Sequence, residues 1–524
     1  MTTTPPLPSS QRAVQLTAPD HLELNDNKPV PTPGPHQILA RVEVTGLCFS
    51  DLKLLKQFDG HVRKSGVTTL LDEETLAEMP HYVPDQKPAV PGHETVVRVV
   101  AVGDRVRTLA VGERRLVQAD YRWLKTANSN AAFGYNFEGG LQEYVLFDER
   151  VILDPTGDST LLPAPDDLAA SAVALSEPWA CVEDSYVAKE RRQPLPDSRA
   201  LTVDCATFEA AALEEIDDES LDDVTFLGAN AELLENVFPK IAQNGLLNIV
   251  QQGGQFGRPV ETPIGRIHYG GVRITGTAGS DPEDGFKAIP ENGEIRTGDR
   301  INIVGAGGPM GTMHVIRDLC QGVPDVHVWA GDLSDERLAQ LSKLCEPLAA
   351  ANHVTFSTYN AKTAPSGEPF NYIALMVPAP ALVGQAVTQA APDAIINIFA
   401  GIPAHVSHPI DLDMYIQKRA FFIGTSGSTI DDMKIVLGKV VDRSLDTNLS
   451  VAAVSGLDGA VAGIRAVEKQ SIPGKVIVYP SCRGLDLTPL AELARDYPDV
   501  AACLKEGAWT QEAEAALLDR FNVH

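Results

Sequence analysis

The stretch GLCFSD, Gly46 to Asp51, carries a lone thiol, and VPGHE closes on a histidine–glutamate pair at His93 and Glu94. A further carboxylate, Glu177, stands in ALSEPWACVEDSY. Catalytic zinc sites take about three protein ligands from cysteine, histidine and carboxylates and leave a position for water or substrate. Cys48, His93, Glu94 and Glu177 supply that donor chemistry. Each also has an ordinary explanation: Cys48 as a small core residue, Glu94 as a surface acid, Glu177 as a charge at a helix N-terminus.

A second chemistry-bearing stretch is RINIVGAGGPMGTMHVIRDL, an apolar run, then glycines, then a helical pattern. Gly305, Gly307 and Gly311 form GxGxxxG, one residue longer than GxGxxG, and Gly308, Pro309, Met310 and Gly311 read as the turn into the helix. Bare backbone is wanted there, because a Cβ would hold a pyrophosphate away from the amides at the helix N-terminus. The next apolar run, DVHVWAGD, ends at Asp332, where a carboxylate meets ribose hydroxyls and repels a 2′-phosphate. This favours NAD over NADP, although Arg337, close behind, leaves some NADP use open.

These residues need elements to position them. From about Arg12 to Val151 short β-rich runs (ILARVEVTG, ETVVRVVAVGDRV, RRLVQADY, LQEYVLF) alternate with Gly, Pro and Asp, the pattern of a β-rich domain. The stretch from Phe58 to Pro91 breaks that rhythm, and its DEETLAEM predicts a short helix on a surface excursion. From Ala200 onward, strand-like and helical runs alternate (INIVGAGG, VHVWAG, YIALMV, IINIFAG), as in parallel α/β structure. Inside this region the segment from Val224 lines up with the segment from Ile373, matching NI at Asn248 and Asn397 and GTxGS at Gly276 and Gly424. That predicts two copies of a strand, helix, strand, loop, strand unit, of which the first lacks a glycine-rich loop and binds no dinucleotide by itself. The tail after Cys482 is helical and polar on one face, with no chemistry legible in it.

The bulk numbers narrow the field. A chain of 524 residues holds several domains, and a net charge of −27 repels polyphosphate backbones and anionic lipid, which excludes nucleic acid and membrane as partners. The start MTTTPPLPSSQRAVQ has neither a basic cluster nor an apolar run, and no apolar stretch approaches the ~18 residues of a bilayer span. The seven cysteines are scattered without CxxC pairs, as suits a reducing compartment, so a soluble cytoplasmic protein is expected.

The ordered set VEVTGLCFSDLKLL, PAVPGHETVVRVVAVGDRV, GYNFEGGLQEYV, LSEPWAC, INIVGAGGPMG, DLSDERL and GKVIVYP resembles the zinc-dependent medium-chain dehydrogenase/reductase family, in particular its alcohol, polyol and sorbitol dehydrogenases. The likeness covers most of the chain outside about 187–290 and the tail. It implies an α/β protein with a GroES-like β-rich catalytic domain at 1–186, completed by about 452–482, and a Rossmann doubly wound parallel sheet at 290–451 that binds NAD. Between them, 187–289 is read as an inserted, degenerate half-Rossmann repeat, and 483–524 as the helical tail. The resemblance makes Cys48 and His93 zinc ligands, Glu177 another carboxylate near the metal, Glu94 a residue that binds or orients it, and Ser50 the proton relay. The implied reaction is oxidation of a secondary alcohol of a polyol or sugar-like substrate by hydride transfer to NAD. A homodimer is allowed, since the family pairs subunits through the edge equivalent to AFFIGTSGS, and the related VRITGTAGS is expected beside that edge within one chain.

Three departures stand out. Phe49 replaces the family's usual glycine, the gap from Cys48 to His93 is roughly twice the usual spacing, and no cysteine lies between Val111 and Tyr144 to build a cysteine-based structural zinc lobe. One zinc per chain is therefore the expectation. Two other readings compete: a zinc-free quinone or enone reductase of the same fold, using NADPH, and a non-catalytic nucleotide-binding scaffold.

Overall fold

Branched aliphatic residues recur along Gln37–Leu47 and Glu94–Val102, a composition that favours the pleated, packed environment of a central strand. In the computed structural model both are strands, paired antiparallel with Thr45 opposite Thr95 and Gly46 opposite Glu94. They lie inside an eight-stranded sheet in the order Thr488–Pro489, Val451–Ser455, Lys475–Val478, Gln37–Leu47, Glu94–Val102, Arg114–Val117, Leu161–Pro163, with Tyr144–Asp148 also paired to Gln37–Leu47. Val42, Val97, Val145 and Phe147 pack into a core on this sheet. The structure describes residues 7–362, 369–425 and 427–523. The first six residues, read above for a leader, and Ser426 of the GTSGS match lie outside them.

Two units result, Met1–Trp179 with Met433–His524, and Ala180–Asp432. In the first, the excursion after the helix Phe49–Gln57 contains the expected short helix, Glu73–Ala77, capped by Asp72, whose carboxylate accepts from the Thr75 amide. It is more than a surface loop. Leu76, Met79 and Tyr82 enter the sheet's core, and the buried Lys64 ammonium donates to the carbonyls of Val83 and Lys87.

In the second unit a six-stranded parallel sheet runs Thr355–Asn360, His327–Asp332, Arg300–Val304, Phe370–Leu375, Ala390–Asn397, Phe421–Ile423, the doubly wound 3-2-1-4-5-6 order. A second parallel sheet follows the order Ala200–Asp204, Leu221–Leu227, Ile241–Val250, Arg273–Thr277. Its succession of strand Leu221–Leu227, helix Ala231–Val237, strand Ile241–Val250, strand Val260–Thr262, helix Gly265–Tyr269 and strand Arg273–Thr277 reproduces, element for element, the chain from Phe370 to Ile423. The edge strands Arg273–Thr277 and Phe421–Ile423 pack beside one another, and Val260–Thr262 pairs antiparallel with His408–Ile410. The two sheets share one apolar cluster, in which Ile249, Ile267 and Ile274 meet Ile396, Tyr415 and Phe422. The Tyr415 hydroxyl donates to the Ile274 carbonyl at 2.7 Å, and the Asp413 carboxylate accepts from Gln251 Nε2 at 2.6 Å. The expected juxtaposition of VRITGTAGS with the other copy's edge is present. Among the described residues no helix is long and apolar enough to cross a membrane.

Candidate active site

Topology brings the thiol and the His–Glu pair together. Cys48 directly follows the strand Gln37–Leu47, and His93 directly precedes its antiparallel neighbour Glu94–Val102. The end of one strand and the start of the other are adjacent in the sheet, so the length of the excursion between them is immaterial. A ligand atom from each of Cys48, His93 and Glu94 lies within 4.8 Å of the others. Glu94 sits opposite Gly46, and a Cβ on Gly46 would stand 2.1 Å from Glu94 Oε2. Only glycine leaves the carboxylate its place.

Asp51, a residue to which the sequence reading assigned no role, organises the site. Its Oδ2 accepts from the Cys48 amide at 3.0 Å, closing the first turn of the helix Phe49–Gln57, and its Oδ1 lies 3.0 Å from His93 Nδ1. That contact fixes the ring and leaves Nε2 as the donor atom. Burial alone would lower the His93 imidazole, but Asp51 and Tyr135 override it and hold it well above its ordinary value, so the surroundings favour a positive charge on the ring. Lys475 is the second missed residue. The strand register puts Val476 opposite Leu47, which sets Lys475 at the level of Cys48, and its ammonium donates to Glu94 Oε1. Burial opposes the Lys475 charge, yet Glu94 and Cys48 keep it above its ordinary value. Glu94 Oε2 is buried with no hydrogen-bond partner in the described structure.

Glu177 lies in the first turn of the helix Ser176–Val187 and is outside the group of mutually close ligand atoms. It nevertheless feels that group. Burial pushes its carboxyl up to about 7, Glu94 and Asp120 add to the rise, and His93 and Lys475 oppose it. Ser50 Oγ is 3.6 Å from Cys48 Sγ, and Phe49 is exposed. The tail also has a place here. Buried Glu514 accepts from the amides of Ala170 and Ser171 at 2.5 and 2.9 Å and from the Tyr479 hydroxyl at 2.8 Å. It thereby caps the short helix Ala170–Ala174 that leads into the one bearing Glu177.

In the second unit the strand Arg300–Val304 enters the glycine turn, and the helix Pro309–Cys320 begins one residue after its cap, Gly308. Gly305 takes a positive φ of 87°, and a Cβ on Gly311 would meet the Gly305 carbonyl oxygen at 2.3 Å, so helix and turn pack too closely for any side chain there. Met310 lies in the first turn. Asp332 ends its strand and bends its carboxylate back: Oδ2 accepts from the Gly307 amide at 3.0 Å, Oδ1 from the Ser334 amide at 3.0 Å. Arg337, in the first turn of the next helix, packs its Cβ against Gly307. The predicted nucleotide residues are thus contiguous in space, at a helix N-terminus whose dipole suits an anion.

Residues 34–156 match the model of the alcohol dehydrogenase GroES-like domain. The chain is 34% identical over 157 residues to the L-sorbose 1-phosphate reductase of Klebsiella pneumoniae, covering 29% of this chain and 37% of that protein. It is 25% identical over 252 residues to the mannitol-1-phosphate 5-dehydrogenase of Aliivibrio fischeri, covering 44% of this chain and 58% of the relative. The chain therefore spans between about a third and three fifths of the curated relatives it matches. The crystal structure of the 2R,3R-butanediol dehydrogenase of Bacillus subtilis superposes with a TM-score of 0.54 at 16% identity, covering 90% of this chain and all of that one, a likeness of fold. With these matches, the chain carries an alcohol dehydrogenase GroES-like domain at residues 34–156 and, in its second unit, a doubly wound parallel sheet.

Proposed function

We propose that the protein is a zinc-dependent oxidoreductase that oxidises a secondary alcohol of a polyol or sugar-like substrate with NAD. The observation that carries this reading is the convergence of Cys48, His93 and Glu94 around a buried, unpartnered Glu94 oxygen. A thiolate, an imidazole and a carboxylate suit zinc better than a hard cation, which would ask for oxygen ligands alone. Cys48, His93 and Glu94 would hold the ion, with Glu177 near it. Zinc, when bound, supplies Lewis acidity that lowers the pKa of the substrate hydroxyl, and the dinucleotide supplies the hydride acceptor. The chain's own groups do the rest. Asp51 keeps the His93 ring turned, Lys475 balances the Glu94 charge, Ser50 Oγ relays the substrate's hydroxyl proton by giving its own to solvent water as it takes that one, and the glycine turn holds the pyrophosphate. The zinc-free and scaffold readings leave the joint convergence of the three donors without a purpose. Metal analysis of purified protein, combined with a polyol screen against NAD and NADP, tests the proposal, and full activity in metal-free protein overturns it.

Ser50→Ala is expected to keep zinc and dinucleotide affinity while lowering kcat by about 10²–10⁴-fold, the scale of general acid–base catalysis. Ser50→Thr keeps an oxygen on Cβ and should retain much of the rate. A purely local role, stabilising the turn after Cys48, predicts a loss of roughly 0.5–2 kcal/mol in stability with normal turnover. Melting temperature and kcat on one preparation separate the two.

Asp332→Ala should raise the Kd for NAD about tenfold, the scale of one charge-assisted hydrogen bond, and narrow the preference over NADP. Because Asp332 also holds the Gly307 amide, part of the loss should fall on both dinucleotides alike. Titration of each dinucleotide against wild type and variant reads both effects, and an unchanged NAD/NADP ratio removes Asp332 from the ribose.

A further inference from the structure

The repeat from Val224 and the repeat from Ile373 meet reciprocally. The alignment that sets Gly276 on Gly424 also sets Glu261 on Pro409, and in the antiparallel pair that joins the copies these two residues stand directly opposite one another. Val260 faces Ile410, the counterpart of Thr262, and Thr262 faces His408, the counterpart of Val260. The same exchange runs along the rest of the seam. A Cβ on Gly276 would meet Ile416 at 3.1 Å, and a Cβ on Gly424 would meet Cα of His268, the counterpart of Ile416, at 3.0 Å. Helix Gly265–Tyr269 packs on strand Phe421–Ile423, and helix Leu412–Gln417 packs on strand Arg273–Thr277. Contacts returned in this way mark a twofold axis, which here passes between Glu261 and Pro409.

The first copy keeps what this seam needs and lacks what a dinucleotide needs. Between strands Arg300–Val304 and Phe370–Leu375 lie the glycine turn, helices Pro309–Cys320 and Asp335–Ala351, and strands His327–Asp332 and Thr355–Asn360. Between Ala200–Asp204 and Leu221–Leu227 the only helical element is the 3-10 turn Ala210–Glu215. The seam is apolar: Val260, Ile264 and Ile267 from one copy and Ile410, Leu412 and Ile416 from the other are buried, as in the core of an obligate dimer interface. Laid over this symmetry are bonds that run one way. Besides Gln251, Asp413 accepts from the amides of Phe256 and Gly257 at 2.9 and 3.0 Å, and the Arg273 guanidinium donates to the Gly424 carbonyl at 3.1 Å. With the Tyr415 hydroxyl, these side chains have Gly265, Phe421 and Ile267 as counterparts, none of which can return the bond.

We infer that the repeat from Val224 is a built-in partner: within one chain it fills a self-complementary interface that would otherwise take a second copy of this chain, so the protein does not pair with another copy through the Phe421–Ile423 edge. The reciprocal contacts make that edge self-complementary, and the one-way bonds bias it toward the tethered copy over a second chain. Tethering adds to the bias, because a linked partner acts at an effective concentration on the order of millimolar. The interface explains why a copy without a phosphate turn retains its strands: its task is to cover, and the covered edge is closed to assembly. This holds whatever reaction the protein catalyses.

Cysteines placed at the axis read the pairing directly. Glu261 and Pro409 are both exposed, and opposite residues of an antiparallel pair hold their Cβ atoms about 4.5–5.5 Å apart, within reach of a disulfide after a small adjustment. The full-length double variant Glu261→Cys/Pro409→Cys, oxidised at micromolar concentration, should run at the mass of one chain and yield a peptide pair joined between positions 261 and 409. Pro409→Cys alone should form no chain-to-chain link above the wild-type level. A Pro409→Cys protein linked to a second copy through position 409 overturns the inference, because two second repeats would then share the axis. A double variant linked between chains, or linked nowhere, overturns it equally. Hydrogen exchange on the wild type needs no substitution: Arg273–Thr277 and Phe421–Ile423 should be equally protected at low and high micromolar concentration, and protection that grows with concentration overturns the built-in partner.

Discussion

Cys48→Ala is expected to yield a folded protein that carries no zinc and whose activity on any alcohol is lowered by roughly 10³-fold or more, the upper end of what one lost transition-state stabiliser costs. The thiolate is the only soft donor in the group, and the two that remain are each held in place through their other atom: His93 Nδ1 by Asp51, Glu94 Oε1 by Lys475. Neither has freedom to close the coordination shell. The fold should survive, because the contact that closes the helix after Cys48 is made by the residue's backbone amide to Asp51, and alanine keeps that amide. Metal content by emission spectroscopy, circular dichroism and turnover on the same preparation decide the matter. A zinc-free Cys48→Ala protein with wild-type turnover would remove the metal donors from the chemistry.

Lys475→Met is expected to destabilise the protein by about 3–5 kcal/mol, the cost of leaving one member of a buried ion pair without its partner. Both side chains are sealed from water, Lys475 at 6% and Glu94 at 0% side-chain exposure, so solvent screening gives little relief. Gly46 lies directly opposite Glu94 in the paired strand. For a unit of this size the melting temperature should fall by roughly 10 °C in zinc-free protein. Adding zinc should recover part of the loss by placing positive charge against Glu94. The double variant Lys475→Met/Glu94→Gln should melt higher than Lys475→Met alone, because the stranded charge is gone. Equal melting temperatures for single variant and wild type would show that the pair carries no such weight.

The residues that a reader of the sequence could find are those whose chemistry depends on near neighbours. Gly305, Gly308 and Gly311 are legible because a phosphate-binding turn has to be written in consecutive residues, and the structure gives Gly305 its positive φ and Gly311 its close approach. Cys48 and His93 are legible as donor types. Asp51 was within reach, since it follows Cys48 by one turn of helix, yet nothing in its spacing says that its second oxygen turns to His93. Lys475 was out of reach: it is 381 residues from Glu94, and the strand order that joins them follows from how the last strands insert beside Gln37–Leu47. Glu514 was hidden for a different reason. A glutamate in a polar, amphipathic helix reads as a solvated charge, and only the packed tail reveals that it is buried and capping another helix.

By itself, then, the sequence determined the classes of element and the local motifs: the β-rich first part, the alternating α/β second part, the glycine turn, the repeat from Val224 and Ile373, and the types of side chain available to a metal. These depend on periodicity and on contacts between near neighbours, both of which survive in a one-dimensional string. Tertiary structure decided which of those side chains meet. It set His93 and Cys48 at the adjacent ends of antiparallel strands across the whole excursion, brought Lys475 to Glu94, and left Glu177 beside the donor group but outside it. It also turned the excursion inward, so that His61 and Arg63 face Tyr135. Those outcomes depend on strand register and on the burial of charge, and register is settled only when distant strands compete for the same apolar core and each buried charge must find its partner there.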